Sequence, residues 1–189
     1  RMQGLTLQQR RGGAWDYRLA WSRYDYVRDE LRSPLLARPL ADAGGPGRIA
    51  DGSGTGWQTL SASAAWRLDA AHTIEFGLQR ERFELHTLVS NTADWLDGAP
   101  AERFSRFGGR TRLDGAFVQD TWRWSPAWNA VFGLRAEHWS ASEGLLANAT
   151  QEFGFPERSE HALSPKAAVE WIASEDWSIK ASIGRAVRY

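Results

Sequence analysis

Apolar and polar residues alternate strictly in several segments of this chain, and that pattern limits the folds open to it. From Leu60 to Leu68 every second residue is Leu, Ala or Trp, and the residues between them are two Ser, one Ala and one Arg. The segment Thr73–Gln79 repeats the pattern after the short connection 69–71. A period of two residues places alternate side chains on opposite faces of a β-strand. The sequence therefore predicts hairpins with one apolar and one polar face.

Three further pairs of segments have the same hairpin form. They are Met2–Gln9 with Ala14–Val27, Arg110–Trp124 with Trp128–Trp139, and Pro165–Ile172 with Trp177–Arg188. The chain is therefore predicted to be all-β, with about eight antiparallel strands in up-and-down order. The turns within pairs are short, namely 10–13, 69–71, 125–127 and 173–176, whereas the connections between pairs are long, namely 29–56, 89–110 and 141–163.

Short turns at one end and long loops at the other are the asymmetry of outer-membrane β-barrels, with periplasmic turns and extracellular loops. Structureless loops of about 20 residues are uncommon in compact soluble domains. The glycine-rich run 44–56 lacks the lysine and the strand-to-helix setting of a phosphate-binding loop, so we interpret it as flexible extracellular loop. The pattern thus favours an antiparallel transmembrane β-barrel wall.

Composition supports strands with one wet and one apolar face. Eleven Trp, eight Phe and four Tyr occur in a chain with 24% charged residues. No run approaches the roughly 20 apolar residues of a membrane-spanning helix, so a membrane role must use strands. The absence of Cys excludes disulfides and thiolate metal sites, and a net charge of zero gives no indication of nucleic-acid binding.

Tryptophans collect near the predicted short turns. Indole combines a large apolar ring with one N–H donor and so favours the boundary between hydrocarbon and headgroups. We therefore predict a membrane-interface girdle at the periplasmic edge, formed by Trp15, Trp66, Trp122, Trp124, Trp128, Trp171 and Trp177. Ordinary aromatic packing in a two-sheet sandwich is the alternative interpretation.

One predicted strand places a carboxylate on its apolar face. In the segment 111–124, Asp120 alternates in phase with Trp122 and Trp124. Lipid should not face a bare carboxylate near the bilayer midplane. Either a β-bulge shifts the phase of this strand or Asp120 lies at the membrane interface, and the sequence leaves both interpretations open.

Two stretches in the second half of the chain resemble the TonB-dependent outer-membrane receptors. Phe117–Trp128 followed by Val131–Glu137 is similar to a barrel hairpin of that family, in which an aromatic-x-Gln-Asp-x-Trp strand leads to a Gly-Leu-Arg strand. Leu163–Val169 followed by Asp176–Arg188 is similar to its Ser-Pro-Lys strand and Gly-Arg-x-aromatic-Arg strand. In each match a smaller residue, alanine or valine, replaces one usual aromatic residue.

The resemblance implies a barrel of 22 strands, an N-terminal plug domain that occludes it, and energy transmitted from the inner membrane by TonB. The sequence contains no recognisable plug or TonB box, and it opens on Arg1–Gly4 without the basic start and apolar core of an export signal. We therefore expect residues 1–189 to be a partial barrel domain, with the plug and TonB contacts made by other parts of the parent protein.

The polar faces of the predicted strands are expected to face the barrel lumen. The residues concerned are Glu75, Gln79, Arg135, Glu137, Lys166, Glu170, Lys180 and Arg185. Such charges pair with one another, contact a plug or line a solute path. Arg80 and Arg82 continue the apolar face of their strand toward the outside, where guanidinium groups suit lipopolysaccharide phosphates. Trp95, in the predicted loop 89–110, is a candidate aromatic contact for a ligand.

Patterns of catalytic or metal-binding residues do not stand out. The four histidines, His72, His86, His138 and His161, lie in four different segments without paired spacing. No Gly-x-Ser-x-Gly elbow marks a nucleophile. The sequence therefore predicts no enzyme activity, no cofactor and no metal.

Transport is the function that these features favour. We expect a TonB-dependent receptor in contact with outer-membrane lipid and lipopolysaccharide, which takes up a scarce small-molecule solute such as a ferric siderophore. One alternative is a complete eight-stranded outer-membrane barrel serving as an anchor or enzyme, because eight strands suffice for closure. Another is a soluble β-sandwich that acts as a binding module.

Overall fold

The computed structural model describes residues 1–10 and 12–189, which form eleven β-strands and one 3-10 turn at Leu40–Ala43. The strands are β1 (Met2–Arg10), β2 (Trp15–Asp25), β3 (Glu30–Pro34), β4 (Gly47–Asp51), β5 (Gly56–Arg67), β6 (His72–Thr92), β7 (Arg103–Ser125), β8 (Trp128–Ala147), β9 (Glu152–Gly154), β10 (Arg158–Ile172) and β11 (Ser178–Gly184). Within the described ranges, no helix has the length and apolar character needed to cross a membrane.

All eleven strands belong to one antiparallel sheet. Its main path runs β1-β2-β5-β6-β7-β8-β10-β11, so each of these strands pairs with the next one along the path. The short strands β3 and β4 form a hairpin, β4 also pairs with β6, and β9 pairs with β8. The main path contains the eight predicted strands in the predicted order, which confirms the all-β antiparallel architecture.

The short turns lie at one end of the sheet, close to where alternation predicts them. The connections between paired strands are residues 68–71, 126–127 and 173–177. The predicted turn 10–13 includes residue 11, which lies outside the described residues. The last strand ends at Gly184 and not at Arg188 as predicted. Its pairing with β10 stops at Lys166, the partner of Gly184, and the residue before Lys166 is Pro165, which has no backbone N–H to donate.

The predicted long loops are wrong in extent, because the strands continue into them. β6 runs to Thr92 and β7 begins at Arg103, which leaves only residues 93–102 between them. β8 continues to Ala147, and β9 occupies part of the interval before β10 starts at Arg158. In these extensions polar and apolar side chains occur together on the same face, so the alternation disappears from the sequence while backbone pairing persists.

The glycine-rich segment 44–56, predicted as flexible loop, is instead ordered structure. β4 pairs along its whole length with the loop end of β6. Ala41 in the 3-10 turn and Ile49 in β4 are almost fully buried. A Cβ added at Gly47 would lie 2.3 Å from Cβ of Trp95, so this close approach requires glycine. Glycine here permits packing of the hairpin and does not indicate mobility.

The sheet forms neither of the two alternative architectures. Among the described residues, β1 pairs only with β2 and β11 only with β10, whereas a complete eight-stranded barrel would join β1 to β11. A β-sandwich would bury large side chains between two sheets. The described chain forms a single sheet, and none of its large side chains is fully buried.

Candidate functional site: the inner and outer faces of the sheet

The two faces of the sheet differ in chemistry and in exposure. Directly paired residues share a face, so the register traces each face across the strands. The face that we call outer is aliphatic and aromatic near the short turns, and Leu78 and Phe132 on it are 64% and 50% exposed. On the opposite, inner face the Glu137 side chain is only 12% exposed. Exposed apolar and enclosed charged side chains fit lipid outside and a polar interior.

A hydrogen-bonded cluster on the inner face joins β6 to β8 across β7. Arg135 donates from Nε to Glu137 at 2.7 Å and from Nη2 to Gln79 at 3.1 Å. Gln79 donates in turn to Glu81 at 2.5 Å. Charge-assisted hydrogen bonds of this kind are stronger than neutral ones. Three of the predicted lumen residues therefore hold one another in place, together with Glu81, which sequence analysis did not single out.

A second cluster joins β8, β10 and β11. Lys180 lies 2.9 Å from Glu170, and Asn129 donates from Nδ2 to the same carboxylate at 3.2 Å. Sequence analysis missed Asn129, although its alternation in phase with Arg135 places it on the same face. Within each cluster most charged groups pair with one another, so these side chains mainly link neighbouring strands.

Glycines on the inner face make room for long side chains from the next strand. A Cβ at Gly115 would lie 2.8 Å from Nη2 of Arg135, and a Cβ at Gly133 would lie 2.6 Å from Cε of Lys166. In both places a cationic side chain therefore lies flat across the neighbouring strand. The glycines allow the charged layer to stay thin and leave the space above it free.

One cleft of about 400 Å³ on the inner face is lined by Arg135 and by three further predicted lumen residues, Glu75, Lys166 and Arg185. The ion pairs found on this face join other residues. Strict alternation would place Arg185 on the outer face with Ile183. The strand ends at Gly184, however, and the chain then turns so that Arg185 borders the inner cleft. These three side chains form no ion pair with the described residues and are therefore available to another molecule.

The seven tryptophans predicted as a girdle lie near the short turns, and those within strands face outward. Stacked pairs with ring centroids 5.3, 5.8 and 5.9 Å apart are Trp15 with Trp66, Trp122 with Trp124, and Trp128 with Trp171. Trp177 directly precedes β11, accepts a backbone hydrogen bond from Ala173 and is 72% exposed. The structure therefore brings these residues into one strip along the turn end of the sheet.

This tryptophan strip does not follow a row of paired residues. It crosses the strands at an angle and moves toward the turns by about one residue per strand on average. The row of paired residues through Trp15 and Trp66 continues to Ile74, Asp120, Phe132, Ala167 and Ile183. Counted from this row toward the turns, Trp122 is displaced by two residues, Trp128 and Trp171 by four, and Trp177 by six. One residue per strand, with a rise of about 3.3 Å and a strand spacing of about 4.8 Å, corresponds to a tilt of about 35°.

Asp120 lies on the outer face, and no bulge removes it. The register irregularity at this end of β7 falls between Arg123 and Ser125, beyond Asp120. Oδ2 of Asp120 lies 2.8 Å from Nδ1 of His72, and the His72 ring stacks on Trp122 at 5.6 Å. Of the two interpretations that the sequence leaves open, the structure supports the one without a phase shift. The carboxylate lies at the level of the tryptophans and has a partner there.

Above the apolar band, on the side of the longer connections, the outer face becomes charged. Nε of Arg80 lies 2.5 Å from Oδ1 of Asp114. His138 and His161 are cross-strand partners whose rings stack at 4.4 Å, a juxtaposition that their sequence spacing does not reveal. No group of three or more metal-ligating side chains occurs in the described part of the chain. This level presents charge and hydrogen-bonding groups directly above aliphatic side chains.

Trp95, the candidate ligand contact, is tied into the connection between β6 and β7. Its Nε1 donates to the carbonyl of Ala41 at 3.0 Å. The preceding Asp94 accepts backbone hydrogen bonds from Leu96 at 3.1 Å and Gly45 at 3.2 Å. These hydrogen bonds, led by that from Leu96, lower the pKa of Asp94. The loop-end residues thus form a small ordered cluster instead of separate mobile loops.

A single antiparallel sheet with an exposed apolar outer face, a polar inner face and short turns at one end defines the wall of an outer-membrane-type β-barrel. Over residues 1–188 the chain matches the family model of TonB dependent receptor-like beta-barrels, and it belongs to that family. This match confirms the resemblance seen in the second half of the chain and extends it to the first. A search of curated proteins gave no match. The family consists of outer-membrane receptors and transporters.

Proposed function

We propose that this chain forms part of the barrel wall of a receptor that takes up a scarce small-molecule solute, such as a ferric siderophore, across the outer membrane. Membership of the receptor family supports transport in general. The observation that carries the proposal is the inner face, where charged side chains are tied into the wall and Glu75, Lys166 and Arg185 border an open cleft. A polar path that is shielded from lipid needs such a surface.

The wall contributes shielding and contact, and no covalent chemistry. Arg135 and Glu170 keep their neighbours fixed, so the inner surface stays in place when another body moves against it. In the proposed cycle a plug domain occludes the barrel, and TonB acts on that plug; both contacts belong to other parts of the parent protein. Glu75, Lys166 and Arg185 are the wall residues offered to the plug or to the solute.

The two unpaired edge strands of the sheet, β1 and β11, are consistent with a larger barrel. The free edges of β1 and β11 present backbone N–H and C=O groups that no described strand pairs. Unpaired edges of this length do not persist in hydrocarbon, because each unsatisfied backbone group costs free energy there. We infer that both edges pair with further strands of the same barrel.

The tryptophan strip is proposed as the periplasmic interface girdle. The tilt of about 35° that it implies falls within the roughly 35–45° of transmembrane barrel strands, which supports this placement. Brominated lipids, which quench nearby indoles, provide the test in reconstituted receptor. Replacing Trp128 and Trp171 by Phe should reduce quenching by interfacially brominated lipid, whereas Trp139→Phe, on the inner face, should not. An equal loss of quenching in the Trp128 and Trp171 variant and in the Trp139 variant would contradict the proposed orientation.

Uptake itself is tested in the bacterium that carries the gene. Deleting the gene should abolish accumulation of one member of a panel of radiolabelled ferric siderophores under iron limitation. A protonophore that dissipates the proton gradient across the inner membrane should abolish the same accumulation in the parent strain. Complementation with a triple variant, Glu75→Gln, Lys166→Gln and Arg185→Gln, should restore the protein to the membrane but lower the uptake rate about tenfold. Uptake that is indifferent to the gene or to the protonophore contradicts energised transport of those solutes.

A further inference from the structure

One row of the outer face carries hydrogen-bonding groups but no carboxylate. The register aligns six side chains across six strands, namely Arg23, Gln58, Arg82, Arg112, Ser140 and Ser159. The next row toward the turns holds Leu60 together with Arg80, Asp114, His138 and His161, so the change from apolar to polar surface begins there. Arg82 and Arg112 lie ten residues along their strands from His72 and Trp122, which at about 3.3 Å per residue and a tilt of about 35° is a height of about 27 Å, close to the roughly 25 Å of a transmembrane apolar band.

Arg82 and Arg112 are direct cross-strand partners in the middle of this row. Like charges directly opposite each other on one face of a sheet destabilise it. Arg112 shares the carboxylate of Asp114 with Arg80, at 2.6 and 2.5 Å, and Arg82 forms no ion pair with any residue that the structure describes. The Asp114 carboxylate thus pairs with two guanidinium groups, and the guanidinium group of Arg82 has no described carboxylate partner. The Arg112 Nε is enclosed and also has no hydrogen-bond partner among the described groups.

The other cations of this region have carboxylate partners. Arg23 lies 2.7 Å from Asp25, and Arg110 lies 3.0 Å from Glu84 and 2.5 Å from Glu143. The described cation without a carboxylate partner here is therefore Arg82, directly opposite Arg112. A cleft of about 680 Å³ opens at this place, lined by all six side chains of the row and also by Asp25, Glu84, Glu143 and Glu157. The cleft is large enough for a phosphate group together with adjoining atoms.

We propose that Arg82 and Arg112, flanked by Gln58 and Ser140, bind one phosphate group of an outer-leaflet lipid headgroup. A single phosphate would remove the repulsion between the two guanidinium groups and give Arg82 the anionic partner that it lacks. Guanidinium groups bind phosphate through paired N–H donors, and glutamine and serine add neutral donors beside them. The height of Arg82 and Arg112 above the tryptophan strip identifies lipid as the source, because headgroups begin where the apolar band ends. This inference rests on the proposed membrane placement.

The test compares lipid retention by the receptor purified from outer membranes in detergent. Native mass spectrometry counts bound lipid after exchange into mixed micelles of purified lipid A or of its enzymatically dephosphorylated form. The wild-type protein should retain one lipid A, and the double variant Arg82→Gln, Arg112→Gln should retain about tenfold less, because two charge-assisted contacts are lost. Dephosphorylated lipid should bind as weakly to the wild type as lipid A binds to the variant.

A matched control removes two arginines from the inner face, Arg18→Gln with Arg123→Gln, and should leave retention unchanged. Equal retention by the Arg82 and Arg112 variant, or equal binding of dephosphorylated lipid, overturns the proposal. Inorganic phosphate that occupies the site of the wild-type protein while no lipid is retained would assign the site to free phosphate and overturn the lipid source. Outer-membrane fractionation and heat-modifiable mobility report separately on the proposed function, because a wild-type protein that fails there never meets the lipid.

Discussion

At the scale of single residues, the pair of His72 and Asp120 shows how the apolar face tolerates a carboxylate. Asp69 at the adjoining turn accepts backbone hydrogen bonds from Ala71 and His72, at 2.8 and 2.7 Å, and so positions the start of β6. The imidazole then lies between Asp120 and the face of Trp122. The carboxylate gains a hydrogen bond at the level of the tryptophans, where the proposed girdle would place water and headgroups.

Removing the imidazole of His72 alone should reveal the free-energy cost of leaving the Asp120 carboxylate without a partner. We expect His72→Ala to lower the free energy of unfolding of the receptor in micelles by about 1–3 kcal/mol, because Asp120 loses its partner. The double variant His72→Ala, Asp120→Asn should recover most of the loss, since no charge is left unpaired. Urea unfolding followed by tryptophan fluorescence measures all three proteins. A double variant no more stable than His72→Ala would contradict the pairing argument.

Asp94 predicts a pH response confined to the loop-end cluster. Hydrogen bonds from backbone N–H groups lower its pKa below the ordinary value of 3.8, so its carboxylate stabilises the folded loop above that value. This stabilisation is lost as the pH falls through the lowered pKa. Hydrogen exchange at Leu96 and Trp95 fluorescence should therefore stay constant from about pH 7 to about pH 5 and change below about pH 4. Asp94→Asn should remove this step, and an unchanged step would assign it to another group.

At the scale of the elements, close contact between neighbouring strands depends on glycine at a few positions. Gly77 in β6 lies beneath the ring of Phe117 from β7 and beside the backbone of Ala62 in β5. A Cβ there would lie 2.6 Å from the carbonyl oxygen of Ala62 and 2.6 Å from Cε1 of Phe117. The backbone contact cannot be relieved by rotating a side chain.

We therefore expect Gly77→Ala to destabilise the wall by about 1–3 kcal/mol through overpacking. Gly154→Ala, in β9, is the matched control, because no atom lies within 4 Å of the added methyl group. Its effect should stay within about 0.5 kcal/mol. Thermal unfolding of both variants in the same detergent gives the comparison. Equal stability of the two variants would mean that β5 and β7 move apart without cost.

At the scale of the whole molecule, the open sheet is the property that governs behaviour. The described strands bury little apolar surface against one another and leave β1 and β11 without partners. A barrel in hydrocarbon needs every backbone group paired, which closure provides. The same residues that are stable within a larger barrel should therefore be unstable alone.

Residues 1–189 expressed alone should not insert as a stable closed barrel. We expect the isolated chain to aggregate or to remain sensitive to protease in detergent, because two strand edges stay unpaired. Electrophoretic mobility before and after heating, together with limited proteolysis, measures this. A heat-modifiable, protease-resistant monomer would contradict the prediction and favour closure by these eight strands.

Much of the inner face was predictable because alternation is a local property. Glu75, Gln79, Arg135 and Glu137 follow the parity of their strands. Arg185 shows the limit, since it borders the inner cleft only because the strand ends one residue earlier. The loop-end extensions were missed for a related reason: where polar and apolar side chains occur together on the same face, side-chain polarity carries no period, although backbone hydrogen bonds continue.

The strand order, the face of most side chains and the position of the short turns follow from local sequence, because each depends on neighbours along the chain. The stagger between strands follows only from the folded sheet, since it depends on hydrogen bonds between residues far apart in sequence. That stagger tilts the tryptophan strip and brings His72 to Asp120. It also sets Arg82 opposite Arg112, a charge repulsion that no local pattern reveals.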